Sequence, residues 1–287
     1  MDLTRRHALA GAAALTAAPL LSAHPAKAAA PAAGKQNAGF YRYKVGDAEV
    51  TVVSDGATTF PLADNFVTNA KKEEVNASLE KAFRPRDFVT IYFGPLVINT
   101  GGKLIVIDTG NGPGAFASSK GTMGQFASNL AAAGIDSKAV DMVVISHFHS
   151  DHVNGLLTAD GQPAFANAEV LVPSVEWKYW MDDGEMSRAP AGRMEGLFKN
   201  NRRVFEAGLK KKVTPYEWGK DVAPGLLAVE TIGHTPGHTS YVLSSGADKV
   251  FIQSDVTNNP DLFARNPGWQ AFFDQDGPQA EITRRKA

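Results

Sequence analysis

The segment His147-Phe148-His149-Ser150-Asp151-His152 decides how this chain is interpreted, because it places four metal-binding side chains in one short turn. The apolar run 141–146 before it is typical of a buried strand, and the residues at 153–157 can open a helix. Side chains at i and i+2 of an extended segment point the same way, so His147 and His149 can bind one ion together. Asp151 and His152 follow the turn and are better placed to reach a second ion. The alternative interpretation is a pair of surface histidines beside a helix-capping Asp151.

Three further predicted strands end in residues that suit the same site. They are 103–107, followed by Asp108; 227–232, followed by His234; and 249–254, followed by Asp255. Strands of a layered α/β protein bring the residues at their carboxyl ends to a common edge, where ligands usually bind. A carboxylate between two cations can bind both and offset their repulsion. We expect Asp255 to be that bridge.

These motifs, taken together, resemble the metallo-β-lactamase superfamily. The residues that carry the resemblance are Asp108-Thr109-Gly110, the HxHxDH pattern of 147–152, His234 in the GHTPGH loop of 233–238, and the late Asp255. A narrower resemblance, to the branch that holds methyl parathion hydrolase and related lactonases, rests on Tyr41-Arg42-Tyr43, Ser54-Asp55-Gly56, Asn99-Thr100-Gly101 and the segment 233–241. The similarity runs from about Gly39 to the end of the chain.

The resemblance implies a four-layer αββα sandwich, which is a mixed α/β (α+β) fold, and a dinuclear metal site. The sequence also predicts a hairpin around Gly46 and Asp47 within 40–53, a strand at 88–93, and a helix at 125–133 that Gly134 ends. This alternation of strands and helices agrees with two sheets flanked by helices. By the resemblance, one metal is held by His147, His149 and His234, the other by Asp151 and His152, and Asp255 bridges both. Asp108 and His238 would support these ligands without binding a metal.

One departure from the family pattern concerns the second metal. The family completes it with a further histidine late in the chain, whereas none of the seven histidines here follows Asp255. The segment 281–287 reads like the start of a helix without a stop signal. We therefore expect a truncated sequence that lacks the last strand and helix. If the protein instead ends here, the second metal keeps only Asp151, His152 and Asp255 as ligands and should bind more weakly.

The expected chemistry is hydrolysis by two divalent cations. Two metals that share a water lower its pKa, so that a bridging hydroxide is available without a protein nucleophile. Asp151 and Asp255 are the candidate catalytic residues, which would orient this hydroxide or carry its proton. The chain has no cysteine, which leaves nitrogen and oxygen donors that suit Zn²⁺ but also iron, manganese or cobalt. It also has no Gly-x-Ser-x-Gly motif for serine hydrolysis.

The substrate is less well defined by the sequence than the metal site is. Our first hypothesis is a small, apolar lactone or carboxylic ester, with side activity on phosphotriesters. A β-lactamase and a glyoxalase-II-type thioesterase would use the same ligands. A fourth alternative, from a different class, is an exported metal-binding protein without turnover.

Aromatic residues between 173 and 208 offer two interpretations. Trp177, Trp180 and Met181 are spaced at i, i+3 and i+4, which predicts one face of a helix. This face can pack on the core, or it can form an aromatic wall that binds an apolar substrate. Trp177 and Trp180 are therefore candidate substrate-binding residues.

The amino terminus predicts export. Arg5 and Arg6 precede the apolar stretch 8–21, which is too short to span a bilayer, and Ala26-Lys27-Ala28 fits a signal cleavage site. We expect a twin-arginine signal at 1–28, a flexible leader at 29–38 and one hydrolase domain at 39–287, in a periplasmic or secreted protein without stable membrane insertion. The net charge of −1 argues against a nucleic-acid partner, and a homodimer stays open as an assembly.

Overall fold

The computed structural model describes residues 34, 37–206, 209 and 212–287. Within this part of the chain, 38–287 form one compact unit. The predicted twin-arginine signal at 1–28, and most of the leader at 29–38, lie outside the described residues.

The described elements alternate along the chain as the sequence predicts. The strands are β1 Phe40–Val45, β2 Ala48–Val53, β3 Gly56–Pro61, β4 Phe88–Phe93, β5 Leu96–Thr100, β6 Lys103–Ile107, β7 Met142–Val144, β8 Glu169–Pro173, β9 Val213–Tyr216, β10 Asp221–Ala223, β11 Leu226–Glu230, β12 Thr239–Ser245 and β13 Asp248–Ile252. The helices are α1 Lys72–Lys81, α2 Pro113–Ser118, α3 Phe126–Ala132, α4 Ser150–Val153, α5 Ser174–Trp180, α6 Asp183–Arg188, α7 Arg193–Glu206, α8 Pro260–Phe263 and α9 Gly277–Lys286. Short 3-10 helices cover Ser137–Ala139, Asn154–Leu156 and Ser254–Thr257.

The largest sheet has seven strands in the order β1-β2-β5-β6-β7-β8-β9. Its first half is antiparallel and begins with the predicted hairpin, whose two-residue turn places Gly46 at φ 55°. From β6 onward the strands are parallel, so the loops after β6 and β7 leave the sheet at the same edge. This edge carries Asp108 and the segment 147–152.

A second sheet, in the order β10-β11-β12-β13, is entirely antiparallel. Apolar side chains of both sheets pack into one buried cluster, with Val50, Ile105 and Val144 from the large sheet and Leu226 and Leu243 from the small one. The two central layers of the sandwich are therefore held together by side chains that alternate inward along each strand.

Helices α3, α5 and α7 cover the opposite face of the large sheet. Their buried residues form a cluster with the outward-facing valines of the strands; examples are Leu130, Trp180, Phe198 and Val143. At the small sheet, Thr283 of α9 donates a hydrogen bond to the carbonyl oxygen of Ile232 over 2.6 Å. The mixed α/β sandwich that the sequence predicted is confirmed.

The hairpin β3–β4 forms a separate two-stranded sheet with its own core. Val89 of this hairpin is buried with Leu79 of α1 and with Leu262 and Phe263 of α8. This small cluster places β4 beside the loop that follows β13. None of the described helices is both long and apolar enough to cross a bilayer.

Candidate metal centre

The predicted site residues lie at the ends of four strands drawn from both sheets. Asp108 follows β6 and the segment 147–152 follows β7, both in the seven-stranded sheet, whereas His234 follows β11 and Asp255 follows β13, both in the four-stranded sheet. The structure brings all four strand ends together. Asp151 and His152 lie in the first turn of α4, which begins at Ser150, earlier than the sequence suggested.

Three buried histidines form the first group of candidate ligands. His147 Nε2 lies 3.1 Å from His149 Nδ1, which lies 2.9 Å from His234 Nε2. Their residues are between 0% and 4% exposed. Three nitrogens that face one another this closely share one small volume, as the ligands of a single cation do.

A second group of candidate ligands, formed by Asp151, His152 and Asp255, lies next to the first. His152 Nε2 is 3.5 Å from Asp151 Oδ2 and also 3.5 Å from Asp255 Oδ1. The other carboxylate oxygen of Asp255, Oδ2, lies 3.3 Å from His234 Nε2. Asp255 therefore contacts both groups, one with each oxygen, while His147, His152 and Asp255 also satisfy the spacing expected of metal ligands.

Asp108 supports two of the histidines from beneath the site. Its Oδ2 accepts a hydrogen bond from His152 Nδ1 over 2.8 Å and another from Ser146 Oγ over 2.7 Å. Ser146 Oγ in turn lies 3.1 Å from His147 Nδ1 and can accept from it. These contacts engage the Nδ1 atom of both histidines and leave the Nε2 atoms directed into the site.

His234 is oriented by a carboxylate that the sequence analysis missed. Its Nδ1 lies 2.9 Å from Asp274 Oδ1, and Asp274 Oδ2 lies 3.3 Å from Arg284 Nη2 in α9. The side chain of Asp274 is fully buried. Asp274 lies in an irregular segment between aromatic and acidic residues, and no motif distinguishes it in the sequence.

His238, the second histidine of the GHTPGH loop, contacts backbone. Its Nδ1 donates to the carbonyl oxygen of Thr231 over 2.9 Å, and its Nε2 accepts from the backbone N–H of Asp255 over 3.1 Å. Both ring nitrogens are thus occupied, and the imidazole fixes the start of the turn that carries Asp255. This geometry agrees with a supporting rather than a ligating part for His238.

Burial and carboxylates set the protonation of the site in opposite directions. Burial, together with neighbouring histidines, holds the pKa of His147 and His149 well below the ordinary value. Burial also opposes the charged form of His234, but the hydrogen bonds that its ring donates to Asp255 and Asp274 outweigh burial and raise the pKa to about 9. Burial lowers the pKa of His238 to about 3, which keeps this ring neutral. Neutral imidazoles and ionised carboxylates are the forms that bind metals.

The donor set fits divalent metal ions. It consists of imidazole nitrogens and carboxylate oxygens that converge from several elements on a buried region, with the remaining ring nitrogens of His147, His152 and His234 hydrogen-bonded. Zinc sites are built in this way, with ligating histidines held by a carboxylate or hydroxyl behind them.

The predicted aromatic wall is not supported at Trp180. This side chain is 0% exposed, packs in the core with Phe198, and donates its indole N–H to Glu176 Oε2 over 2.6 Å. Trp177 is half-buried and packs edge-on against Phe205. The packing interpretation of this helix face therefore applies to Trp180, because its polar atom is satisfied inside the protein.

A cavity of about 550 Å³ opens beside the second group of ligands. It is lined by Asp151, His152 and Asp255 at its base and by residues of β4 at its side, among them Ile91 and Tyr92. The apolar surface next to the candidate metal centre thus comes partly from β4, together with Leu96 of β5 and Ile252 of β13. The part played by β4 could not be predicted, because this strand ends at Phe93, far before the histidine segment in the chain.

Comparison with known proteins identifies the family of this chain. The family model of the metallo-beta-lactamase superfamily matches residues 96–285. The chain belongs to this superfamily, and its relatives support a hydrolase.

Individual relatives share the fold at modest identity. A crystal structure of the hydrolase AbOPH is 29% identical, has a TM-score of 0.79, and aligns over 88% of this chain and 86% of its own. AidC, described as a dizinc quorum-quenching lactonase in complex with a product, is 23% identical with a TM-score of 0.79 over 86% and 85% of the two chains. The anti-Pycsar protein Apyc1 of Paenibacillus sp. (strain J14) is 28% identical over 134 residues, which are 44% of this chain and 50% of the relative. The chain spans about half the length of this curated relative.

Proposed function

We propose that this protein is a dinuclear metal-dependent hydrolase that cleaves a lactone or carboxylic ester, with phosphotriesters as a side activity. The observation that carries the proposal is Asp255, whose two oxygens lie 3.5 Å from His152 and 3.3 Å from His234. A carboxylate that contacts two adjacent groups of histidines has the form of a bridge between two cations. The lactonase relatives support the same chemistry.

The residues divide into those that hold the metals and those that serve the reaction. His147, His149 and His234 would hold one cation, Asp151 and His152 the other, and Asp255 both. When bound, such cations polarise a carbonyl or phosphoryl oxygen and supply a hydroxide at neutral pH. Asp151, which lines the cavity, would hold or pass a proton near the reacting atoms. Zinc is the metal we expect, with iron, manganese or cobalt as alternatives.

The cavity supports a small substrate with an apolar portion. Ile91, Leu96 and Ile252 contribute apolar side chains to the wall, and Tyr92 adds an aromatic ring. Such a surface would hold an acyl or alkyl group while the polar, scissile group faces the ligands. We further propose that the domain at 39–287 is exported through a twin-arginine signal at 1–28 and acts in the periplasm or outside the cell.

A substrate panel on the zinc-loaded protein tests the proposal. The panel contains an N-acyl homoserine lactone, an aliphatic ester, a phosphotriester, a β-lactam and a glutathione thioester, each assayed with and without a chelator. We expect chelator-sensitive turnover, fastest on the lactone or ester. Exclusive turnover of the β-lactam or of the thioester would replace the proposal with that activity. Two bound zinc ions without turnover of any substrate would favour a metal-binding protein that is not an enzyme.

A further inference from the structure

Glu176 is a buried carboxylate that belongs to neither group of candidate ligands. It lies in α5 and is 0% exposed. Its Oε2 accepts hydrogen bonds from the backbone N–H of Phe148 over 3.0 Å and from the indole of Trp180 over 2.6 Å. Its Oε1 accepts from the backbone N–H of Gly237 over 2.7 Å.

Two of these three donors lie in the loops that carry the candidate ligands. Phe148 stands between His147 and His149, and Gly237 lies three residues after His234. The loops belong to different sheets, since one follows β7 and the other follows β11. A single carboxylate therefore joins the two backbones that must approach each other for three histidine nitrogens to meet.

The loop after β11 approaches Glu176 so closely that only glycine fits at position 237. A Cβ atom at Gly237 would lie 2.5 Å from the backbone nitrogen of Glu176 and 2.9 Å from its Cγ. Glycine at 237 thus lets the loop reach the carboxylate. Burial raises the pKa of Glu176, while the hydroxyl of Thr235 and the N–H groups of Gly237, Trp180 and Phe148 act in the opposite direction.

We propose that Glu176 is a positioning residue, which holds the two histidine loops in register so that the metal ligands are arranged before a metal binds. The inference rests on the proposed metal site. A carboxylate is required because both of its oxygens only accept hydrogen bonds. A glutamine would direct its amide N–H₂ toward at least one of the two loops, where a backbone N–H already points, and that buried donor would lose its partner.

The test compares the zinc affinity of folded Glu176→Gln and Trp180→Phe with that of the wild type, well below their melting temperatures. Trp180→Phe is the matched control, because it disturbs the same carboxylate and the same core but keeps both hydrogen bonds to the loops. We expect the zinc affinity of Glu176→Gln to fall about tenfold or more, which is the usual effect of replacing a residue that supports metal ligands. Trp180→Phe should melt earlier and stay within about twofold of the wild-type zinc affinity. The visible spectrum of the cobalt-loaded proteins should change in Glu176→Gln alone.

Each outcome of this comparison is informative. Wild-type zinc affinity in Glu176→Gln would overturn the inference even if the variant melts earlier, and so would an equal loss of zinc affinity in Trp180→Phe. If Glu176→Gln does not fold, Glu176→Asp keeps two accepting oxygens on a side chain one methylene shorter and should weaken zinc binding for lack of reach. A wild-type protein that binds no zinc would instead contradict the proposed function itself.

Discussion

The nitrogen atom that each imidazole directs into the site is set by what the other nitrogen touches. Asp108 contacts Nδ1 of His152, and Asp274 contacts Nδ1 of His234, so both rings direct Nε2 inward. His238 has the opposite arrangement, with its Nε2 turned to the backbone of Asp255. Two histidines four positions apart in one loop therefore have different environments, which alanine substitutions can separate.

We expect His234→Ala to lose most bound metal and most hydrolysis, because it removes one of three nitrogens around the same ion. His238→Ala should lower both quantities less, since it removes only a support for Asp255. Metal content by elemental analysis and turnover of the preferred substrate measure the difference. Full metal content and activity in His234→Ala would show that the other histidine of the loop is the ligand.

Asp255→Asn should lower the metal content from two ions toward one. The substitution keeps the shape of the side chain but removes the negative charge that offsets the repulsion between two cations. Because the second ion has fewer histidine ligands, it should leave first. Retention of two ions at full occupancy would contradict the bridging assignment.

Asp274→Ala should weaken zinc binding by about 10- to 100-fold, which is the usual effect of removing a carboxylate behind a ligating histidine. The carboxylate of Asp274 fixes the ring of His234 without touching the site itself. Titration against a chromophoric chelator measures the zinc affinity. Asp160→Asn, in an exposed turn, is the control and should bind zinc as the wild type does.

At the scale of elements, the sequence predicted those that carry a periodic pattern or a clear stop. The β1–β2 hairpin, β4, β6 and α3 lie within a residue or two of the predicted bounds, and Gly134 ends α3 with φ +79°. The start of α4 at Ser150 was not predicted, because the histidine-rich segment has no apolar periodicity. The packing of Trp180 could not be settled either, since helical spacing defines a face but not what that face touches.

Trp180→Ala should destabilise the protein by roughly 3–5 kcal/mol, as truncation of a large buried aromatic does. It removes a fully buried ring and leaves Glu176 with one donor fewer. Chemical denaturation measures the free energy of unfolding, and kinetics on the surviving folded protein measure KM. An unchanged free energy of unfolding together with a raised KM would show instead that Trp180 binds the substrate.

At the scale of the molecule, the sequence predicted the set of candidate metal ligands but not which sheet supplies each of them. Strand ends with His or Asp can be recognised one at a time, whereas the pairing of β7 with β6 and of β11 with β12 is set by contacts between distant residues. Glu176 and Asp274 were missed for the same reason. Their importance comes from what lies beside them in space, and neither stands in a motif.

Removal of the metals should lower the melting temperature of the whole domain. The candidate ligands come from both sheets, so a bound cation joins the two layers and stabilises the folded state in proportion to its affinity. Thermal melts with zinc, with a chelator, and with zinc restored measure the effect. We expect a reversible shift of several degrees, and identical melting with and without metal would contradict a site shared between the sheets.

The hydrogen bond between His234 and Asp274 joins residues 40 positions apart. Asp274 in turn contacts Arg284, which lies in the last turn of α9. During synthesis, the histidine-rich segment of 147–152 leaves the ribosome more than 100 residues before Asp274 does. A nascent chain therefore exposes several strong metal ligands long before the carboxylate that orients His234 exists. Metal captured at that stage would be held in an incomplete coordination shell, so correct loading has to wait until the chain has been made as far as Asp274.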